Sequence, residues 1–357
     1  MKLCRHVHWK LQIISYFTFS NDKGDAEMKI IVDAMGGDLG PEEAVKGALS
    51  AAEKFGKEII IVGNRDLIND AIAKSGKKIN GISVINADDV IKMTDDPMSV
   101  RTMPNSSMRV AIDLLTKGEG DALVSCGNTG ALQTGATLYA KRIKGIHRAA
   151  IGAIMPLTNP VLLLDSGANV SVTPEYLHQF AVMGSIYMQK QYGIKSARVG
   201  LLNIGSESKK GTPLQTETYK LLSDSEDINF IGNIEGKDIP FGKCDVLITD
   251  GYTGNVCLKT IEGTASYILG LLKQIYTKNL RTKLAYLLIK KDMSFLKTKM
   301  DTKAHGGAPI LGIAHPVIKA HGNSDARAME NAIRQAIAFT EGGIIEEIAS
   351  KVSETRS

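Results

Sequence analysis

Apolar residues along this chain gather into short runs. Each is closed by a small polar residue near a glycine, and a segment with helical spacing follows. KIIVDAMGGD (29–38) is the first case, and EIIIVGN (58–64), with RDLINDAIAKSG behind it, is the second. ALVSCGNTGA (122–131), VLLLDSGANV (161–170), RVGLLNIGSE (198–207) and DVLITDGYTGN (245–255) continue the series. Strands alternating with helices predict βα units around a mostly parallel sheet. Unbroken Val, Ile and Leu runs predict strands covered on both faces. The fold class read from this pattern is α/β, doubly wound. Ligands in such sheets bind in the crevice outside the carboxyl ends of the strands.

Those ends are polar. Asp33, Ser125, Asp165, Asn203 and Asp250 each close an apolar run and lie within three residues of a glycine. A turn or a cap accounts for any one of them. Five together predict a site at which several strand ends converge on one carboxyl edge.

Composition narrows the class. The chain has 357 residues, 43% apolar and 23% charged, as in ordinary soluble globular proteins. That length allows two domains or one large α/β domain. A net charge of +5 permits acidic partners without calling for nucleic acid. Cys4, Cys126, Cys244 and Cys257 form no C-x-x-C, which fits a reducing cytoplasm better than a disulfide or zinc framework. No apolar run reaches the ~18 residues of a membrane span. The seven histidines lack ligand spacing, and GGDLGP is not a dinucleotide fingerprint, so no metal or other cofactor is indicated.

Residues 1–27 read differently and hold the single Trp. Lys23-Gly24-Asp25 can be encoded by a purine-rich run resembling a ribosome-binding site. Translation is therefore expected to start at Met28, with 1–27 a non-native or disordered extension and 28–350 one α/β domain.

Four loops are candidates for an anion. LLNIGSESKKGTPLQ (201–215) has the look of a phosphate loop, but Lys209 and Lys210 precede Gly211, so it is not a Walker A motif. These lysines hold phosphate or form a solvated basic loop. Asn128 and Thr129 stand at an expected helix start, Asn169 likewise, and Asn255 where an N-cap would sit. Helix N-termini attract phosphate and carboxylate. Lys259 and Glu262 share one helical face with Asn255, while Val256, Leu258, Ile261, Ala265 and Ile268 are expected to pack on the sheet.

Taken together, VDAMGGD, NSSM, SCGNTGAL, LLLDSGANV, QFAVMGS, LLNIGSESKKG, FIGNIEGKDI, TDGYTGNVCLKTIEG, HGGAPILG and IKAHGNSDARA resemble the motifs of the bacterial phosphate acyltransferases, in order, from about Met28 to Ala338. Four positions depart from that pattern: Leu39-Gly40, Met103-Pro104-Asn105, Cys126 and His305. The loss of a basic pair before SSM bears on how a carrier protein docks. The resemblance implies transfer of a long acyl group from acyl carrier protein to inorganic phosphate; the alternatives are a phosphate acyltransferase using a short acyl-coenzyme A and a non-enzymatic membrane scaffold of lipid synthesis. The acyl phosphate would feed phospholipid synthesis through a membrane glycerol-3-phosphate acyltransferase. It also implies a homodimer, and a fold like that of phosphate acetyltransferases and isopropylmalate dehydrogenases, with a cleft.

That reaction needs a held phosphate, a placed thioester carbonyl and stabilised oxyanion charge. The expected roles follow. Lys210 holds phosphate, with Lys209 as its substitute. Asn255 bonds the carbonyl oxygen or the phosphate. Asn128, Thr129, Asn169, Asn203, Gly205 and Lys259 complete the cradle. Asp33, Asp165, Asp250 and Glu262 order loops. Cys126 at a helix start leaves an acyl-cysteine intermediate as a minor alternative.

Residues 273–303 carry nine Lys/Arg against two Asp, interleaved with apolar residues. A basic helical pair there suits an anionic membrane surface, reached through Leu287, Leu288, Phe295 and Leu296. A helical hairpin in a dimer, or a shelter for the acyl chain, accounts for the same residues. The protein is expected to be cytoplasmic and peripherally membrane-associated.

Overall fold

The computed structural model describes residues 28–77, 80–157, 159–299 and 306–354. Eleven strands form one sheet: β1 (Lys29–Asp33), β2 (Glu58–Gly63), β3 (Ile82–Asn86), β4 (Ala122–Ser125), β5 (Ala150–Pro156), β6 (Pro160–Leu164), β7 (Arg198–Asn203), β8 (Asn229–Glu235), β9 (Val246–Ile248), β10 (Ala308–Leu311) and β11 (Val317–Lys319). Their order is β3-β2-β1-β4-β11-β10-β5-β6-β9-β7-β8. The helices between them are α1 (Pro41–Phe55), α2 (Arg65–Ser75), α3 (Ser99–Thr102), α4 (Ser107–Thr116), α5 (Thr129–Gly135), α6 (Pro174–Tyr192), α7 (Pro213–Ser223), α8 (Gly251–Thr277), α9 (Leu280–Lys299), α10 (Ala326–Glu341) and α11 (Ile344–Glu354).

Both faces of the sheet are covered. One core joins Ile30 and Val32 of β1 to α1, α2, α6, α7, α10 and α11. The opposite face packs Ile31 and Leu123 against α3, α4 and α5. Farther along that second face, Leu163 and Leu247 meet Cys257, Leu258 and Ile261 of α8. Along β5 the two faces alternate as a pleated strand requires: Ala150 and Ile154 turn to the first core, Ile151 and Met155 to the second face.

Seven of the ten strand pairings are parallel. The other three, β11–β10, β10–β5 and β5–β6, are antiparallel and sit at the centre. Those central reversals split the strands into two sets. β1, β2, β3, β4, β11 and β5 run one way; β10, β6, β9, β7 and β8 run the other. The expectation of a single carboxyl edge is thereby corrected. The polar strand ends of β1 and β4 and those of β6, β9 and β7 lie on two opposite edges, with β11, β10 and β5 between the two sets and helices on one face bridging them.

The helix after β9 also departs from the sequence reading. Asp250, not Asn255, is its N-cap, accepting from the Thr253 N–H at 2.8 Å. Of the apolar positions expected against the sheet, Val256 is 52% and Ile268 44% exposed, while Cys257, Leu258 and Ile261 do the packing. Asn169 lies in a loop, not at a helix start; α6 begins at Pro174. Of the basic segment 273–303, residues 273–299 lie on the end of α8 and on α9, and 300–303 fall outside the described residues.

Candidate active site

The edge formed by the carboxyl ends of β6, β9 and β7 carries most of the expected residues. Asp165, fully buried, organises it. Its Oδ1 accepts the backbone N–H of Ile151 (3.1 Å), Gly167 (3.1 Å) and Ala168 (3.0 Å). Its Oδ2 accepts both the backbone N–H (2.6 Å) and the side-chain amide (2.9 Å) of Asn169. Burial raises the carboxyl pKa, and the hydrogen bonds oppose the rise. The Asn169 amide also donates to Ala149 O at 2.8 Å, so it holds the loop in shape.

The start of α8 lies directly on this loop. Gly251 N–H donates to Asn169 O at 2.7 Å. A Cβ on Gly254 would stand 1.9 Å from Asp165 O, so only glycine permits the approach. The approach brings Asn255 over the loop, where its amide donates to Ser166 O at 3.0 Å; the residue is otherwise exposed.

The next strand along this edge, β7, supplies the lysine loop. Asn203 closes the strand and turns its amide inward: Nδ2 donates to Lys210 O (2.9 Å) and Oδ1 accepts from Ile204 N–H (2.8 Å). Asn203 thus ties the loop shut at Lys210. Gly205 is buried beneath the Lys210 side chain, whose Cγ would lie 3.2 Å from an added Cβ. Lys209 and Lys210 are exposed, and neither forms an ion pair among the described residues.

The opposite edge holds a polar row. Asp33, Ser125 and Lys319 are registered with one another across β1, β4 and β11. Asp33 Oδ2 accepts from Ser125 Oγ at 2.7 Å, and Ser107 of α4 also bonds this carboxylate. Burial raises the Asp33 pKa. Lys319 is 7% exposed and donates to Cys126 O (3.3 Å) and Ala320 O. Burial pushes its pKa down to about 8. Asn128 caps α5 as expected, accepting from Ala131 N–H at 3.0 Å. Its amide is spent on the carbonyls of Lys92, Met93 and Asp95. Thr129 is exposed at the first position of α5.

Two contacts tie the edges together. Gln133 of α5 donates to Ala168 O at 3.2 Å. Lys259, in the third turn of α8, lies 3.5 Å from Nε2 of His321, which follows β11. Lys259 also pairs with Glu262 at 2.8 Å, and Asp250 remains with its own helix. The sequence pattern does not single out Lys319, His321 and Ser107 individually. IKAHG carried the first two, but nothing local marks a lysine that ends a three-residue strand as buried.

Cys126 is 3% exposed and its thiol is pushed up to about 12 by burial, with Asp33 adding to the rise. A thiolate nucleophile is disfavoured there. Among the described residues no group of His, Cys, Asp and Glu is arranged to hold a metal. Two surface cavities, of about 430 and 400 Å³, lie around α7–β8 and α6–α11, and no strand-end residue above lines them. The residues gathered at the β6–β9–β7 edge therefore form the better candidate site. It combines exposed cations and an exposed amide beside a loop whose own N–H groups are held by Asp165, and cations with an amide donor suit an oxyanion.

The family described as "Fatty acid synthesis protein" matches residues 28–347. A phosphate acyltransferase of Thermoanaerobacterium thermosaccharolyticum is 46% identical over 327 residues, covering 91% of this chain and 97% of that one. Among solved structures, a phosphotransacetylase from Streptococcus pyogenes superposes with a TM-score of 0.56 at 17% identity, over 90% of this chain and 94% of that one. A putative 4-hydroxythreonine-4-phosphate dehydrogenase from Salmonella typhimurium gives 0.50 at 10% identity, over 88% and 99%. Transferases and dehydrogenases share this fold, so the fold alone does not decide the activity.

Proposed function

The chain belongs to the fatty acid synthesis protein family and is an acyltransferase of the phosphate acyltransferase kind; from that premise we propose that it moves a long-chain acyl group from acyl carrier protein to inorganic phosphate. The observation that carries the site assignment is the meeting of three adjacent strand ends: the Asp165–Asn169 loop, Asn255 laid upon it, and the exposed Lys210 on the loop that Asn203 closes.

Lys210 supplies the charge that holds phosphate, as a point-charge phosphate ligand. Lys209, its neighbour, is the substitute. Asn255 donates to the thioester carbonyl as negative charge develops on its oxygen. Phosphate oxygen attacks the carbonyl carbon, the tetrahedral intermediate collapses, and the carrier leaves as its thiol. Acyl phosphate results, and no metal, cofactor or enzyme nucleophile is required.

The product's destination suits a membrane. We assign it to a membrane glycerol-3-phosphate acyltransferase in phospholipid synthesis. No helix here is long and apolar enough to cross a bilayer among the described residues. Yet Leu284, Leu287 and Leu288 on α9 are 56%, 63% and 87% exposed amid lysines. Peripheral contact of α9 with anionic lipid, and a homodimer built on exposed apolar residues of α8 such as Tyr267 and Ile275, account for surface that is otherwise costly to leave in water. Phe295 and Leu296 also lie on α9, but their side chains fall outside the described residues.

The test is an assay with palmitoyl-carrier protein, with and without phosphate, that follows acyl phosphate and freed carrier thiol together. Phosphate-dependent appearance of both supports the reading. Product from a short acyl-coenzyme A alone moves the protein to a different acyl donor, and product from neither overturns the reading.

A further inference from the structure

The connection into β5, KRIKGIHRA at 141–149, holds Lys141, Arg142, Lys144, His147 and Arg148 and no acidic residue. All five are exposed. Ile143 and Ile146, each 4% exposed, anchor the loop in the core beneath them.

The loop is tied down at several points. Lys141 O accepts from Ala314 N–H and Ile143 N–H donates to Gly312 O, both at 2.9 Å. Arg142 bridges Ile313 by backbone pairing. Gln179 of α6 grips the turn from both sides, donating to Gly145 O and accepting from His147 N–H, each at 2.9 Å. Lys141 has φ 61°, the one positive φ at a non-glycine among the described residues. Such a backbone persists only where the surroundings over-determine it. The cations therefore stand on a fixed frame.

Their charge is not spent internally. Arg142 donates to the carbonyl of His147, and Arg148 sits 5.8 Å from the Tyr176 ring. None of Lys141, Arg142, Lys144 and Arg148 forms an ion pair among the described residues. Glu175 lies within electrostatic reach of His147, and its carboxylate is taken mainly by Thr173.

The loop also runs straight into the candidate site. Ala149 O accepts the Asn169 amide at 2.8 Å, and Ile151 N–H donates to Asp165. A partner seated on the loop would thus stand beside the edge that holds Asn255.

We propose that residues 141–148 are the docking surface for the acidic face of the carrier protein that delivers the acyl thioester. This rests on the carrier-linked reading above. Unpaired cations on a rigid frame attract an acidic partner, speed its encounter and set its orientation. The loop's isoleucines face inward, so the patch presents charge without the apolar anchor that a lipid surface requires.

The test compares wild type with Lys144→Glu/Arg148→Glu and with Lys144→Gln/Arg148→Gln, in the full chain. Two acyl donors are used: palmitoyl-carrier protein and S-palmitoyl-pantetheine, which has the thioester without the protein. The expected result is a KM for the carrier donor raised about tenfold or more in the Glu variant and less in the Gln variant. Its kcat and the pantetheine KM stay within about twofold of wild type, and salt raises the carrier KM of wild type alone. Unchanged KM for both donors overturns the docking surface while leaving carrier-linked chemistry intact. Equal rises for both donors also overturn it, since the loop then acts on site geometry. A wild-type protein that uses pantetheine but not carrier thioester overturns the carrier reading and this surface with it.

Discussion

Asp165 and Asn169 are joined twice, through the backbone N–H at 2.6 Å and the side-chain amide at 2.9 Å, onto one carboxylate oxygen. The pair turns the end of β6 into a platform on which α8 rests. The Asp165→Asn variant replaces an acceptor facing several N–H groups by a donor. Leaving buried donors unsatisfied costs about 1–3 kcal/mol each. Urea unfolding is expected to show a loss of about 2–4 kcal/mol, and turnover to fall because Asn255 loses its support. Unaltered stability would show that the five hydrogen bonds at Asp165 do not organise the loop.

The two lysines separate by anchoring. Asn203 holds the Lys210 carbonyl, and no comparable bond fixes Lys209 among the described residues. Lys210→Ala is expected to raise the phosphate KM by at least about tenfold, or ~1.4 kcal/mol, and Lys209→Ala by less. Asn255→Ala is expected to lower kcat by about 10²–10³, the usual cost of one oxyanion donor. Steady-state kinetics with phosphate as the varied substrate checks all three, and a larger effect at Lys209 would reverse the assignment.

Much of this arrangement was legible in the chain. The strands with continuous apolar runs, β1, β2, β4, β6, β7 and β9, announce themselves, and their polar last residues point at a site. The strands β10 and β11 do not. APIL and VIK are four and three residues long, too short for any period to show. They reverse against each other across residues 312–316, but their outer neighbours, β5 and β4, are distant in the chain, so their place in the sheet leaves no local mark. The reversals at the centre of the sheet divide Asp33 and Ser125 from Asp165, Asn203 and Asp250, while the parallel pairing of β11 with β4 places Lys319 beside Ser125. The cap geometry expected of Asn255 belongs to Asp250, and close approach at Gly251 and Gly254 is what sets Asn255 against the loop.

Lys319 carries a pH signature. Its folded pKa of about 8 lies below the ordinary 10.5. The folded state then binds fewer protons than the unfolded state between those values, so this group makes stability rise with pH across that window. Below pH 8 the buried charge is a cost of up to about 3 kcal/mol, at ~1.4 kcal/mol per pH unit. Lys319→Met removes it. The stability of the variant relative to wild type is expected to be greatest near pH 7 and to decline as pH rises from 8 to 10.5. A difference independent of pH, followed by urea unfolding, would show that the ammonium is not penalised by burial.

Cys126 offers a direct exclusion. Its thiol is buried, with a pKa near 12, and its Sγ lies 2.7 Å from where a Gly37 Cβ would be. Cys126→Ala is expected to keep turnover within a few-fold, with a stability loss of about 1 kcal/mol from the vacated volume. Iodoacetamide at pH 8 should leave activity unchanged. Inactivation protected by acyl donor would bring back the acyl-cysteine route.

The proposed membrane contact is tested on α9. Leu284, Leu287 and Leu288 fall at i, i+3 and i+4, on one helical face, with Lys283, Lys290 and Lys291 around them. Burying a leucine fully is worth about 1.5–3 kcal/mol, so even partial insertion of three is enough for reversible binding once basic residues add attraction to anionic lipid. Leu287→Asp/Leu288→Asp is expected to abolish flotation with phosphatidylglycerol vesicles and to leave soluble-substrate turnover intact. If the variant instead keeps its flotation and loses its dimer in sedimentation, the same leucines serve a subunit interface, and membrane contact must be sought on another surface.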